Sequence, residues 1–139
     1  MRKGLTPADL GDLLELPFVA VLATYRREGT VLLSPVWHEW VDNGFNVVTG
    51  SRDVKAGHLR RDPRASIVVY EHDPPNRGLE LRAKARLCML EDRSIVRRIA
   101  TRYLGAEAGE RYAETEGDDL LVRLEPGDLR GWDFADYFA

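Results

Sequence analysis

The hydrophobic and polar positions alternate most clearly between Leu79 and Leu90. Leu79, Leu81, Ala83, Ala85, Leu87 and Met89 fall on one face, and Glu80, Arg82, Lys84, Arg86 and Cys88 on the other. A period of two over that length predicts a long strand, buried on one side and charged on its second. Phe18 to Thr24 reads FVAVLAT, a short apolar run that predicts a strand buried on both faces. The turn signal Arg27-Glu28-Gly29 separates it from a second strand, Thr30 to Trp40, so the two form a hairpin. Asp42-Asn43-Gly44 is a stronger hairpin signal, because Asn-Gly supplies the positive φ of a type I′ turn. Phe45 to Thr49 then reads as a third strand and Ala65 to Tyr70 as a fourth. Leu120 to Leu124 is the last core strand. Pro126-Gly127 follows as a turn, and Leu129 to Asp133 as a short extension carrying Trp132.

Helical spacing appears in four places. Thr6-Pro7-Ala8-Asp9 opens a helix with a capping box and with proline at its first position, and Leu10, Leu13 and Leu14 give it one apolar stripe before Pro17 ends it. A short helix runs from about Asp53 to Arg61, Val54 and Leu59 inward, and Asp62-Pro63 stops it. From Asp92, the residues Ile95, Val96, Ile99, Ala100 and Tyr103 recur at helical spacing up to Gly105. A more polar helix covers Ala106 to Glu114. Strands dominate, and neither a repeat nor a linker divides the chain. The expectation is one domain over 1–139, mainly β with flanking helices, its sheet a six-stranded antiparallel barrel. Closure removes exposed edges. Six strands leave little interior space, so a ligand sits outside the barrel or between subunits.

Composition narrows the function. The 139 residues are 44% hydrophobic and 31% charged, with a net charge of −3 and a pI near 5.6. That is an ordinary globular balance and not the basic footprint of a nucleic-acid protein. No apolar stretch approaches the ~20 residues of a membrane helix, and no apolar run follows Met1-Arg2-Lys3-Gly4 as a signal peptide would require. Cys88, the single cysteine, forms no disulfide framework. A cytoplasmic enzyme or binding domain is expected.

Two segments carry candidate chemistry. TGSRDVKAGHLRRDPR follows the third strand. Gly50, the hydroxyls of Thr49 and Ser51, the start of a helix and the charge of Lys55 together suit an anion. By itself the same segment also reads as a solvated basic helix capped by Ser51 or Asp53. Ser34-Pro35-Val36-Trp37-His38-Glu39-Trp40 is the second. Pro35 marks an edge or irregular point, and Trp37 and Trp40 lie on opposite faces of a regular strand. Such an edge can meet the rim of a flat heterocycle with its backbone polar groups, or can simply pack at a subunit interface. His38, His58 and His72 fall into no metal-ligand spacing, and no glycine-rich fingerprint, P-loop or nucleophile elbow is present. No side chain is expected to be catalytic and no metal is expected.

The order of these pieces carries a resemblance. LLSPVW on a hairpin, a strand closed by Thr-Gly-Ser, then Lys55 and HLRRDPRASIVVY, resemble the pyridoxamine 5′-phosphate oxidase-like FMN-binding split-barrel superfamily. The flavin/deazaflavin oxidoreductase class B branch, many of whose members use coenzyme F420, is the nearest in look, and the late LRGWDF is similar to its ending. The resemblance spans nearly the whole chain from Pro17. It implies a homodimer with two sites at the subunit interface, and a cofactor that is coenzyme F420 or, as the alternative, FMN. Lys55 matches the lysine on the cofactor phosphate. Thr49, Gly50 and Ser51, with Val48 before them, match the strand end that lines it, with Arg61 nearby. Ser34, Pro35, Val36 and Trp37 match the segment contacting the ring. Trp132 is implied to approach the ring from the partner subunit. His58 stands where relatives often carry Asn, and Asp53 where some place a second basic phosphate ligand. The implied activity is hydride transfer between the cofactor and an unsaturated small-molecule substrate. A non-catalytic flavin, haem or tetrapyrrole binding protein on the same barrel is the reading from a different class.

Overall fold

The strongest strand signal in the sequence becomes the axis of the sheet. The computed structural model describes residues 1–115 and 117–138. The strand β7 (Gly78–Met89) pairs along its whole length with β8 (Asp119–Asp133) and along its first half with β6 (Arg64–Tyr70). Beyond β6 lie β2 (Ala20–Tyr25) and β3 (Val31–Val36). Beyond β8 lie β5 (Gly44–Gly50) and β4 (Glu39–Val41). The order is β3-β2-β6-β7-β8-β5-β4, all antiparallel, with β1 (Arg2–Leu5) added to the far half of β8. Among the described residues three α-helices flank the sheet: α1 (Val54–Arg61), α2 (Ser94–Leu104) and α3 (Ala106–Glu114). This is the split barrel with flanking helices that the sequence leads one to expect.

The two ends of the sheet are consecutive in the chain. β3 ends at Val36 and β4 starts at Glu39, so only Trp37 and His38 bridge the split. The single strand expected over Thr30 to Trp40 is therefore two. With β1, which the sequence pattern did not reveal, this makes eight strands among the described residues instead of six. Backbone groups freed by the break are met by side chains of α2. The N–H of His38 donates to Tyr103 Oη at 3.1 Å, and Arg102 Nε donates to the His38 carbonyl at 3.0 Å. Arg102 also reaches the carbonyls of Glu15 and Leu16, each at 3.1 Å. One arginine thus clamps the N-terminal segment to the split. The pairing satisfies groups that would otherwise be buried without partners.

Three further expectations are corrected. The capping box forms, with the Thr6 N–H donating to Asp9 Oδ2 at 2.9 Å, but the helix does not continue. A single 3-10 turn, Ala8–Leu10, is followed by Gly11 at φ +61°. Leu10, Leu13 and Leu14 are buried all the same, in one core with Leu22, Phe45, Val47, Ile67, Val69, Leu79, Leu81, Val122 and Leu124. The β4–β5 turn is of the expected kind but one residue earlier. Asp42 (φ 52°) and Asn43 (φ 58°) are its central pair, while Gly44 opposes Val41 in the ladder. Gly44 is needed for close approach, since a Cβ there would lie 2.8 Å from Arg123 Nη2 and from the Leu124 carbonyl. Finally, Pro126-Gly127 is no turn. The strand runs through it, and a register shift opposite Ala83 and Ala85 absorbs the proline.

Candidate functional site

The site lies where the end of β5, the start of α1 and the last residue of β3 meet under the α2–α3 pair. Two adjoining clefts open there, of about 170 and 240 Å³. They share Trp37, Val48 and Tyr112. The first is completed by Thr49, Gly50 and Asp53 and roofed by Val96, Ile99 and Ala100 of α2. The second is bounded by Pro35, Val36 and Lys55. Together they are of the order of small-molecule sites, roughly 300–1,000 Å³.

Aromatic rings form one wall. The Trp37 indole stacks on Tyr103, centroids 5.0 Å apart and planes within 8°, and meets Tyr112 at 5.5 Å with planes at 51°. The break between β3 and β4 releases Trp37 from the strand alternation and turns it to the helices. Trp40, beyond the break, packs its edge on Phe45 at 4.9 Å. Val48, on β5, lines both clefts together with Trp37. β3 is a terminal strand and pairs only with β2 among the described residues. Pro35 therefore removes no ladder bond.

Polar donors gather at the end of β5. Thr49 Oγ1 donates to Asp53 Oδ2 at 2.9 Å, the Gly50 N–H donates to the same oxygen at 3.2 Å, and Lys55 Nζ lies 3.5 Å from it. Three donors converging on one anionic oxygen have the geometry of an anion cradle. The Asp53 carboxyl is held below its usual range first by the Thr49 hydroxyl, and the Lys55 charge and the Gly50 N–H add to this against burial, which raises it. Ser51 faces elsewhere. Its Oγ donates to Asp118 Oδ2 at 2.5 Å and its N–H to the Asp118 carbonyl at 2.7 Å. Asp119, the residue opposite Gly50 in the ladder, lines the first cleft and accepts from Arg93 Nη1 at 2.6 Å.

Of the residues singled out from the sequence, Pro35, Val36, Trp37, Val48, Thr49, Gly50 and Lys55 come together around the two clefts. The others are placed apart. Ser34 is half-buried on the inner face of β3. Ser51 is committed to Asp118. His58 is buried on the inner face of α1, its Nδ1 sharing a 3.0 Å hydrogen bond with Thr24 Oγ1. Arg61 is exposed and donates to the Tyr25 carbonyl. Trp132 lies at the far end of β8, opposite Gly78 and beneath the Arg130 guanidinium at 4.7 Å. Sequence reasoning missed Tyr112, Val96, Ile99, Ala100 and Asp119. The apolar stripe of α2 was visible, but its facing a cleft and not only the core was not. His38 is fully buried, with Nε2 3.0 Å from the Phe18 carbonyl, and His72 is exposed.

Fit to a cofactor can be judged on these features. The clefts lined by Trp37, Val48 and Tyr112 and bordered by Pro35 and Val36 of the terminal strand β3 suit a flat ring. The cradle of Thr49, Gly50 and Lys55 suits a single anionic group. No group of three or more His, Cys, Asp or Glu side chains among the described residues is arranged to hold a metal ion. No described helix is long and apolar enough to cross a membrane.

Comparison with known proteins gives the following. A family model described as pyridoxamine 5′-phosphate oxidase matches residues 7–133. No curated protein matches the chain. Among solved structures, a conserved hypothetical protein from Mycobacterium tuberculosis superposes with a TM-score of 0.78 at 24% identity, over 97% of this chain and 89% of its own. An F420 reductase superposes at 0.64 and 23% identity, over 85% of this chain and 93% of its own. A pyridoxamine 5′-phosphate oxidase-related, FMN-binding protein from Nostoc punctiforme does so at 0.66 and 16% identity, over 95% and 86%. At these identities the likeness to solved structures is one of fold.

Proposed function

The chain belongs to the pyridoxamine 5′-phosphate oxidase family, and from that premise we propose that it is an oxidoreductase holding a deazaflavin, coenzyme F420, in the cleft beside Trp37. The observation that carries this reading is the pairing of clefts walled by Val36, Trp37, Val48 and Tyr112 with an anion cradle (Thr49, Gly50, Lys55) where β5 ends and α1 starts. When bound, the ring supplies the hydride chemistry. The chain's own residues bind and orient. Trp37 and Val48 fix the plane of the ring and exclude water from one face. The free side of β3, from Ser34 to Trp37, offers backbone groups to its polar rim. Thr49, Gly50 and Lys55 hold the phosphate. No nucleophilic or general acid–base side chain is assigned, and the substrate is an unsaturated organic molecule.

The similarity to an F420 reductase supports the deazaflavin. The similarity to an FMN-binding protein supports FMN as the second reading on the same site. A homodimer is part of the proposal. The outer face of β2, β3 and β6 carries Leu33 at 64% exposure, Val31 at 41% and Tyr70 at 52%, and Val19 beside them at 48%. Strand pairing sets Pro35, Val21 and Val68 side by side across the same three strands. An apolar sheet face of this kind marks an interaction surface, and β3 places it next to the ring cleft.

Titration of the purified protein with coenzyme F420 and with FMN, followed by quenching of tryptophan fluorescence, tests the reading. Micromolar binding of the deazaflavin is expected. Failure of both to bind overturns it. Oxidation of the bound, reduced cofactor by added acceptors then distinguishes an enzyme from a carrier.

A further inference from the structure

Asp53 occupies the helix N-cap position of α1 in extended backbone, yet its side chain makes no capping bond to that helix. An aspartate there ordinarily accepts from the N–H groups of the first turn. Here Oδ2 turns back to the strand end and takes Thr49 Oγ1, the Gly50 N–H and Lys55 Nζ. These are the same three donors proposed above for the cofactor phosphate. The carboxylate and the Lys55 ammonium cancel, so the cradle carries no net charge where a phosphate site usually carries an excess of cation. The adjoining positions supply no cationic excess: Ser51 is bonded to Asp118, and Asp119, which lines the cleft, is paired with Arg93.

We infer that Asp53 is an internal counter-anion that sets which phosphate the cradle accepts: a monoanionic phosphodiester is favoured over a dianionic phosphomonoester. The inference rests on the cofactor reading above. An incoming phosphate gains the donors only by displacing the carboxylate or by sharing them with it. Asp53 is two residues from Lys55 and three from Gly50, and its side-chain atoms lie within 3.1–3.4 Å of where a Gly50 Cβ would sit. The carboxylate therefore stays close after displacement. Repulsion between fixed groups scales with the product of their charges. A phosphomonoester carries about −1.5 to −2 at pH 7, and a diester carries a single charge. FMN presents a monoester. Coenzyme F420 presents a diester, with its further carboxylates remote along the tail. Asp53 thus acts by penalising the wrong cofactor, a repulsive element in specificity.

Paired ligands isolate the phosphate from the ring. Riboflavin and FMN share one ring, and coenzyme F420 and its phosphate-free deazariboflavin share the other. In the wild-type protein the phosphate of FMN is expected to change affinity less than about threefold, while the diester improves it about tenfold. In Asp53→Asn the FMN-to-riboflavin affinity ratio is expected to rise about tenfold or more, and the deazaflavin ratio by about threefold or less. Asp53→Ser serves as a second variant, and thermal melting checks that each is folded. Adding Lys55→Ala to Asp53→Asn is expected to abolish the gain. An unchanged FMN-to-riboflavin ratio in folded Asp53 variants, with the ring compounds still bound, overturns the inference and leaves the cofactor reading standing. Binding of none of the four compounds overturns both.

Discussion

His38 shows how burial sets a residue's chemistry. Its ring is fully buried, edge-on to Phe45 at 5.4 Å, and Nε2–H donates to the Phe18 carbonyl at 3.0 Å. Nδ1 has no hydrogen-bond partner among the described residues. Burial, and secondarily the Arg102 charge, lowers the pKa from 6.5 to about 4. The unfolded chain therefore takes up this proton at a higher pH than the folded one. Stability is full above about pH 6.5 and is lost as the pH falls toward 4, by about 3 kcal/mol. Urea unfolding between pH 7.5 and 4 is expected to show this fall, and His38→Gln to flatten it. Burial pushes the Glu39 carboxyl up, but hydrogen bonds from Arg98 and Asn46 hold it below the ordinary carboxylate range, and hydrogen bonds from Arg77 hold Glu71 below it against burial. The Thr24–His58 pair is a second buried bond. Thr24→Val keeps the shape and leaves His58 Nδ1 unpaired. A loss of about 1–3 kcal/mol in denaturant unfolding is expected.

At the scale of elements, the helical pair decides the cleft. α2 and α3 meet closely at Gly109, where a Cβ would lie 2.5 Å from Thr101 Oγ1 and 2.7 Å from its Cα. Gly109→Ala gains helix propensity worth about 1 kcal/mol but forces the helices apart, at a cost of about 1–3 kcal/mol. A net fall in melting temperature is expected. Ring affinity in the fluorescence titration falls with it, because α2 supplies Val96, Ile99 and Ala100 and α3 supplies Tyr112 to the clefts. The break at Trp37–His38 is also an element-scale feature. No turn signal interrupts Thr30 to Trp40, so the sequence reads as one strand. Only the side chains of Arg102 and Tyr103, more than sixty residues later, make the break affordable by meeting the freed backbone groups.

At the scale of the whole molecule, the apolar face of β2, β3 and β6 is proposed to be covered by a second copy. Leu33 lies midway along β3, the terminal strand of that face, and is 64% exposed. Leu33→Asp buries a charge in such an interface and is expected to yield a monomer by size-exclusion chromatography with light scattering. The monomer should stay folded, because Leu33 lies outside the core. Its ring affinity should fall if the site lies between subunits. A dimer that persists in Leu33→Asp would move the interface to another face.

The sequence by itself determined the class of most elements, most of the buried residues and the two chemical segments, although Val54, expected to face inward, and Met89, expected on the buried face of its strand, are exposed. Period-two alternation over Leu79 to Met89 has one physical solution, a half-buried strand, and the Thr6–Asp9 box forms wherever its backbone turns. Those signals are local, set by side-chain direction within a few residues. Their limits were local too. Leu10, Leu13 and Leu14 are buried as the pattern requires, but Gly11 ends the helix after one turn. The tertiary structure alone decided which neighbours the cradle has. Asp118 and Asp119 reach Ser51 and Gly50 only because the start of β8 pairs with the end of β5. Asp53, a helix cap by its position, becomes the acceptor of Thr49, Gly50 and Lys55 because that sheet edge and that helix start meet at hydrogen-bond distance. Charge and hydrogen bonding act through space, and sequence spacing does not fix distances between segments that meet only when the barrel closes.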